Sequence, residues 1–576
     1  MPAKRRRVPP SRPSTTVSTN TPITSSPSPS KKPKTNRYKT SRSIWTSTED
    51  WDTLVTESAL STSSISTRAP RPRGLHSLVK CATDAAGRGF KRLWEQGEVV
   101  ADGEVVVGPG KGWREAWLYL PDHLKEGVRD RIFRWWGGYL TLQLIHELFS
   151  IPPRLILPGE LLPSISKADY LKTLIPTSSS QSHYTHLILT HASSATDIGL
   201  AGLIYHLPDL EVINLKGCTL AGSRTVQTIM ERCGSLKRVN LKGTKVGEKE
   251  VGALLRKFGK QLEGLKVDDI VFENINETFD SGPYPSLRHL CLPGKVLNPP
   301  TSDFRSRARI MGHSIGYPHP RPTPDSSIIQ WSQFSDTFPA LTHLYLPGLL
   351  IPEDTIINLT PHTLIKLSIG PQGPPVPVST IIRIVESQSN TLKSIHLGNL
   401  LPLPVKPSQG WGFDILGEKL KRCEKLEEFR LQADAHGSKD VMCDQAMGRC
   451  SDLVYGPGLA GPWRRTLKRL SLQVPQGISA FSFLPVESDN QSQTQICPLE
   501  QLDLPSADID DTALLARALT HFPNLRSLDL SGTTITDDDM KVVLEGCGLL
   551  SRVDLTSCRG INVRHRRNIF KALEKE

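Results

Sequence analysis

A chain of 576 residues with a formal net charge of +12 has room for several domains, and 22% charged residues is moderate for a folded protein. No apolar run reaches the ~18 residues of a transmembrane helix, and the N-terminus lacks the apolar core of a secretory signal, so neither is expected. Ten cysteines at scattered or repeat-dictated places form no disulfide framework and suit a reducing compartment.

Residues 1–72, opening "MPAKRRRVPPSRPSTTVSTN", are Ser, Thr, Pro and basic residues with almost nothing apolar to bury. Such a segment cannot offset its ordering entropy and is expected to be disordered. It carries two basic clusters, Lys4, Arg5, Arg6 and Arg7, then Lys31, Lys32 and Lys34. Short basic runs in an unfolded tail are what an import receptor grips, so a nuclear location, shared or not with the cytoplasm, is expected. The plainer reading is a tail that adds solubility or adheres to nucleic acid. Ser28 in "SPSK" fits a proline-directed kinase site, where phosphate would set negative charge beside Lys31 and Lys32.

Residues 73–165 look ordered but do not repeat. "GLHSLVKCATDAAGRGFKRLWEQ" reads as an amphipathic helix with Leu75, Leu78, Val79 and Ala82 on one side. A D-G between apolar runs in "VVADGEVVVG" signals a hairpin. "LPDHLKEGVRDRIFRWW" and "YLTLQLIHELF" read as two further helices. The bland role of this module is to cap the open end of a repeat array; the sharper one is to dock a partner.

From 166 to 576 one rhythm dominates. An L-x-x-L-x-L strand signature starts at Tyr184, Leu210, Leu236, Leu262 and Leu287, again at Leu341, Leu364, Leu392, Leu426 and Leu467, and last at Leu499, Leu525 and Leu550. That makes about thirteen copies, spaced about 26 residues apart at both ends and irregularly between. The helical half recurs in phase. Leu200, Leu203, Ile204 and Leu207 precede Leu210 at i, i+3, i+4 and i+7, and Val226, Ile229, Met230 and Cys233 precede Leu236. Thr536, three residues before Asp539, starts the last helix with a near capping box. Strand, turn and helix repeating at this length predict an α/β leucine-rich-repeat solenoid, a horseshoe with a helical N-terminal cap. A Pro-rich insertion at about 297–337, holding Arg305, Arg307 and Arg309, interrupts it as an expected flexible basic loop.

"GCTLAGSRTVQTIMERCGSLKRVNL" and "TTITDDDMKVVLEGCGLLSRVDL" resemble cysteine-containing leucine-rich repeats of the F-box-associated, ribonuclease-inhibitor-like subfamily. The resemblance places Cys218 and Cys558 at the turn position, with Thr244 and Thr533 equivalent, and Cys233 and Cys547 at the helix end. It implies a substrate receptor of a ubiquitin ligase. Two stretches resemble F-box openings: "LPDHLKEGVRDRIF", with His123 where Glu is usual, and "LPGELLPSI", where Leu157, Pro158, Glu160, Leu161, Leu162 and Ile165 fit. "SLVKCATDA" is similar to the box that binds elongin-type adaptors, with Cys81 one residue early. Residues 73–165 thus acquire an expected adaptor partner.

Catalytic and ligand motifs are weak throughout. Gly110-Lys111 lacks the first Gly and the Ser or Thr of a phosphate loop, and His436, Cys443 and Cys450 lack zinc-site spacing. The expectation is therefore no enzyme, no cofactor, no metal, no membrane and a monomer. Function is assigned to the inner face, where residues between the strand leucines point away from the core. Its early lining is Asn214, Lys216, Arg238, Asn240, Lys242 and Lys266; then come His289, His343, Tyr345 and His396, and finally Asp503, Ser527, Asp529 and Asp554. A run from basic to acidic would set a partner's register. Lys216, Arg238, Lys242 and Tyr345 are the expected protein-partner contacts. The leading expectation is a nuclear substrate receptor of a cullin-type ubiquitin ligase. The other is a nuclear scaffold in chromatin, repair or RNA assembly, with nucleic acid drawn to the basic insertion by phosphate attraction.

Overall fold

The computed structural model describes residues 65–67, 78–95, 100–101, 104–105, 110–150, 152–167, 171–175, 184–268, 270–272, 278–292, 295–296, 334–346, 363–370, 376–398, 400–401, 416, 419–432, 465–473, 477–478, 480–484, 497–562, 566 and 569. The basic clusters, Ser28, Leu75, the bulk of the 297–337 insertion and the His436, Cys443 and Cys450 set all lie outside these residues.

Four helices come first: α1 (Leu78–Glu95), α2 (Lys111–Tyr119), α3 (Asp122–Trp136) and α4 (Leu142–Phe149). Their core is aromatic. Phe90, Trp94, Trp113, Trp117, Phe133 and Phe149 are all buried, with edge-to-face contacts such as Phe90–Trp113 at 5.0 Å and Phe133–Phe149 at 5.1 Å. The D-G hairpin forms as expected, pairing Val100–Ala101 with Glu104–Val105. Gly110 and Lys111 open α2, with Gly110 in the left-handed region at φ 86°.

Among the described residues the rest is built on one fifteen-stranded sheet. β1 is Ile65–Thr67, β2 Arg154–Pro158, β3 His186–Thr190, β4 Val212–Asn214, β5 Arg238–Asn240, β6 Gly264–Lys266 and β7 His289–Cys291. Then follow β8 (His343–Leu346), β9 (Lys366–Ile369), β10 (Ser394–Gly398), β11 (Glu428–Gln432) and β12 (Arg469–Gln473). The series ends with β13 (Gln501–Asp503), β14 (Ser527–Asp529) and β15 (Arg552–Asp554). From β2 to β15 each strand lies parallel to the one before it, in chain order. That order, with helices between strands, is an α/β leucine-rich-repeat solenoid.

All thirteen strand signatures become strands of this sheet. Two differences stand out. The parallel sheet starts at Arg154, ahead of the expected boundary at 166, because "RLILP" pairs with His186–Thr190. Leu157 and Pro158 therefore belong to a repeat strand, and Glu160 to the turn after it, so "LPGELLPSI" is repeat and not F-box. Secondly, β1 falls inside the stretch expected to be disordered and pairs antiparallel with β15.

Buried residues one strand position apart make the parallel core continuous: Leu155, Leu187, Ile213, Val239 and Leu265 in the early strands, Leu502, Leu528 and Val553 in the late ones, none more than 1% exposed. The cysteines join repeats. Cys218 Sγ donates to the Leu189 carbonyl at 3.2 Å and Cys558 Sγ to that of Leu530 at 3.0 Å, in each case reaching the preceding repeat. Cys547 at the helix end does the same toward Leu519 O at 3.3 Å. Thr244 and Thr533, at the same turn position, donate instead to their own repeat, each at 2.7 Å. The thiols are inert by burial, which pushes Cys218 and Cys233 up to about 12.

After six of the described strands the chain turns through the left-handed region at one fixed place, five residues past the first residue of the strand. Gly217, Gly243 and Gly532 hold it with φ of 72°, 66° and 74°, and His191, Ser506 and Ser557 hold it with φ of 49°, 57° and 63°.

Candidate partner-binding face

The register places the outward residues in two rows across the sheet. The first runs Arg154, His186, Val212, Arg238, Gly264, His289, His343, Lys366, Ser394, Glu428, Arg469, Gln501, Ser527 and Arg552. The second, two residues further along each strand, runs Ile156, Ile188, Asn214, Asn240, Lys266, Cys291, Tyr345, Ser368, His396, Arg430, Ser471, Asp503, Asp529 and Asp554.

The four expected contacts share this face without forming one cluster. Arg238 sits in the first row, its guanidinium on Glu263 at 3.1 Å. Lys216 and Lys242 lie beyond the strand ends, and the Lys242 ammonium is bound to the buried Asp268 carboxylate. Tyr345, partly exposed, is three strands from Asn240, about 14 Å at ~4.8 Å per strand.

Several polar residues of the second row serve the backbone. Asn214 and Asn240 accept from the N–H groups of Lys216 and Lys242 at 3.1 and 3.0 Å, and both are fully buried. Asp529 and Asp554 accept from Ser531 and Thr556, each at 2.8 Å. These side chains end strands by closing a turn two residues on. The second row ends in Asp503, Asp529 and Asp554, but of the expected basic residues it holds Lys266 alone, after Ile156, Ile188, Asn214 and Asn240. In the first, Arg469 and Arg552 flank the acidic end.

The middle of the face holds a polar network that sequence reasoning missed, because its members come from strands 34 positions apart in the chain. The Ser394 hydroxyl donates to Glu428 Oε2 at 2.9 Å and lies 3.2 Å from His396 Nε2. His396 Nε2 is also 3.2 Å from Glu428 Oε1, and Arg430 grips that oxygen through Nε at 2.7 Å and Nη2 at 2.6 Å. Burial pulls His396 down to about 4 against the attraction of Glu428. Burial also works to raise Glu428, but His396 and Arg430 outweigh it and hold the carboxylate ionised. Ser, His and Glu meet here, yet not as a nucleophile relay. Both bonds fall on the same imidazole nitrogen, the carboxylate is neutralised by Arg430, and His396 and Glu428 are 1% and 5% exposed. His396 is therefore not the solvent-facing contact expected from its strand position.

At the other end, Glu160 bonds His191 Nε2 at 2.9 Å and the Thr190 hydroxyl at 2.7 Å. Among the described residues no group of three His, Cys, Asp or Glu side chains is placed to hold a metal ion, and no helix is long and apolar enough to cross a membrane.

The cap adds a second surface. The apolar side of α1 does not all enter the core: Leu78 is 85% exposed and Val79 53%, with Cys81 and Ala82 also exposed. Leu118, Tyr119 and Trp135 project from α2 and α3 as well.

Residues 481–571 match the family model of the leucine-rich repeats of FBD-associated F-box protein At5g56370. No curated protein matches the chain. Among solved structures, the yeast Rad7–Elc1 complex aligns at 13% identity over 80% of this chain and 95% of that one, with a TM-score of 0.36. An internalin of Listeria monocytogenes aligns at 13% identity over 63% and 83%, with a TM-score of 0.30. A leucine-rich-repeat protein of Leptospira interrogans aligns at 13% identity over 71% and 92%, with a TM-score of 0.30.

Proposed function

We propose that this leucine-rich-repeat protein is a non-catalytic recognition scaffold. Its open sheet face holds a protein partner and its helical cap docks a ubiquitin-ligase adaptor, which makes it a nuclear substrate receptor of a cullin-type ligase. One observation carries the docking half: the first turn of α1 leaves Leu78, Val79, Cys81 and Ala82 in solvent, where a core helix would bury them. A compact apolar turn at a helix start is the shape a partner groove takes up. The match of residues 481–571 to F-box-associated repeats supports the same setting. The recognition half rests on the two rows of outward residues, with Lys216, Arg238, Lys242 and Tyr345 as contacts. The nuclear half rests on the basic clusters at Lys4–Arg7 and Lys31–Lys34, with Ser28 as the site whose phosphate would mask them.

The test uses full-length protein carrying Leu78→Asp and Val79→Asp, both exposed, so that the aromatic core of the cap is untouched. Affinity purification from nuclear extract should recover cullin and adaptor subunits with the parent and lose them with the variant. If the parent recovers neither, the ligase role is wrong, and a scaffold in chromatin, repair or RNA assembly takes its place.

A further inference from the structure

Two imidazoles meet at the middle of the open face. His289 and His343 lie opposite each other on adjacent strands, with ring centroids 4.2 Å apart and planes 30° from parallel. Leu290 and Leu344 take the core side of those strands, so the two rings project from the other, where both are partly exposed. The Thr342 hydroxyl engages His343 Nδ1 at 2.9 Å, which steadies that ring.

The charged groups that act on His289 are cationic: His343, Arg238, Lys266 and Arg288. Arg238 stands on β5 and is already matched by Glu263 at 3.1 Å. On β6, Gly264 faces His289 with no side chain, while Lys266 faces the buried Cys291 thiol. Arg288 precedes His289 and is exposed, Tyr345 shares β8 with His343, and Lys366 on β9 lies opposite His343. Burial, followed by the charges of His343, Arg238, Lys266 and Arg288, brings His289 down to about 3. His289, held neutral among cations, marks a place where negative charge would be welcome. An arriving carboxylate would supply it and favour the protonated ring.

We propose that the His289–His343 pair is a proton-linked seat for a carboxylate-rich segment of the protein partner. This rests on the reading of the open face as the partner-binding surface and adds the chemistry of what binds there. As the carboxylate docks, one imidazole takes a proton from solvent, so affinity rises as pH falls. Nucleic acid fits less well, because among the described residues Tyr345 is the one aromatic ring besides histidine in either row, which leaves no stacking platform.

The experiment is titration calorimetry of the full-length protein with an octa-aspartate peptide, and with an oligothymidylate of equal charge. Each is run in two buffers of different ionisation enthalpy. The peptide should bind at least about threefold tighter at about pH 6 than at about pH 7.5, with net proton uptake. In the variant carrying His289→Gln and His343→Gln, melting like the parent, the peptide should still bind but without the pH dependence or the uptake. Arg238→Ala should weaken binding at both pH values. No peptide binding, equal affinity at the two pH values, or pH dependence retained in the double variant would each overturn the proposal. Tighter binding of the oligothymidylate would overturn it in favour of nucleic acid. Adaptor capture through Leu78 and Val79 is measured separately, so either reading can fail while the other stands.

Discussion

At the scale of single residues, the turn after a strand is the most exacting position in the repeat. Its left-handed backbone costs an ordinary residue about 1–2 kcal/mol, and glycine avoids that cost. Gly217, Gly243 and Gly532 follow the rule, whereas His191, Ser506 and Ser557 do not. Ser506→Gly is therefore expected to stabilise the fold by about 0.5 kcal/mol, the relief being partly offset by the freedom glycine adds to the unfolded chain. Gly532→Ala should destabilise by about 1–2 kcal/mol, since its Cβ would stand 2.8 Å from Ser506 Oγ in an already disfavoured conformation. Urea denaturation midpoints moving the other way in either variant would refute this account. His191 keeps its place through the bond to Glu160, which a glycine could not make. The turn position was legible in sequence as Cys or Thr. Its left-handed neighbour was not, because His and Ser stand where glycine would have announced it.

At the scale of elements, one helix takes its cap from the repeat before. The helix Ser223–Arg232 begins at Gly222 with no side-chain cap of its own. The carboxylate of Asp197, in the preceding helix Asp197–Tyr205, supplies it instead, accepting from the N–H groups of Gly222, Thr225 and Arg224 at 2.8, 2.9 and 3.0 Å and from the Thr225 hydroxyl. Asp197→Ala is expected to cost about 1–3 kcal/mol and to speed amide exchange at Gly222–Thr225. Asn at the same place keeps an acceptor and should cost less; unchanged exchange in the Ala variant would mean the clamp is idle. Such a bond between repeats has no local signature, unlike the capping box of Thr536 and Asp539, which forms as its spacing foretold. Strand starts were legible for the same reason: each needs a leucine for the shared core. β2 escaped notice because "RLILP" opens on Arg and ends on Pro, and so imitates a different motif. An apolar stripe such as that of Leu78 and Val79 does not say whether its partner lies in the same chain.

For the whole molecule, acidity acts through groups of opposite sign. Burial first, aided by cations, lowers His289 to about 3, and burial lowers His396 to about 4 despite Glu428. The unfolded chain binds those protons near pH 6.5, so stability is present above that value and falls as pH drops toward 4. In Asp197 and Glu160 burial is outweighed by hydrogen bonds, from Thr225 and its neighbours and from His191 and Thr190. Their contribution is present above the unfolded carboxylate range and is lost as pH falls below it. Asp503 opposes them: burial and the nearby Asp529 raise it to about 6, a cost at neutral pH that protonation relieves. Denaturation midpoints should therefore fall from about pH 7 to about pH 4.5, with His396→Gln flattening the slope. Asp503→Asn should stabilise by about 1–2 kcal/mol at neutral pH and by little near pH 4.5. A rise in midpoint on acidification of the parent would show that the carboxylate strain outweighs the histidines.

The pairing of Ile65–Thr67 with Arg552–Asp554 joins segments almost the whole described chain apart. Every other bond of the large sheet links a repeat to its neighbour, so the array can zip from any nucleus. This one must close a loop that encloses all the repeats, and the entropy of that closure puts it last. Until then a newly made molecule offers the last strand's edge to any passing strand, its own or another's. The same short segment that completes the molecule thus also ends the interval in which it is open to mispairing.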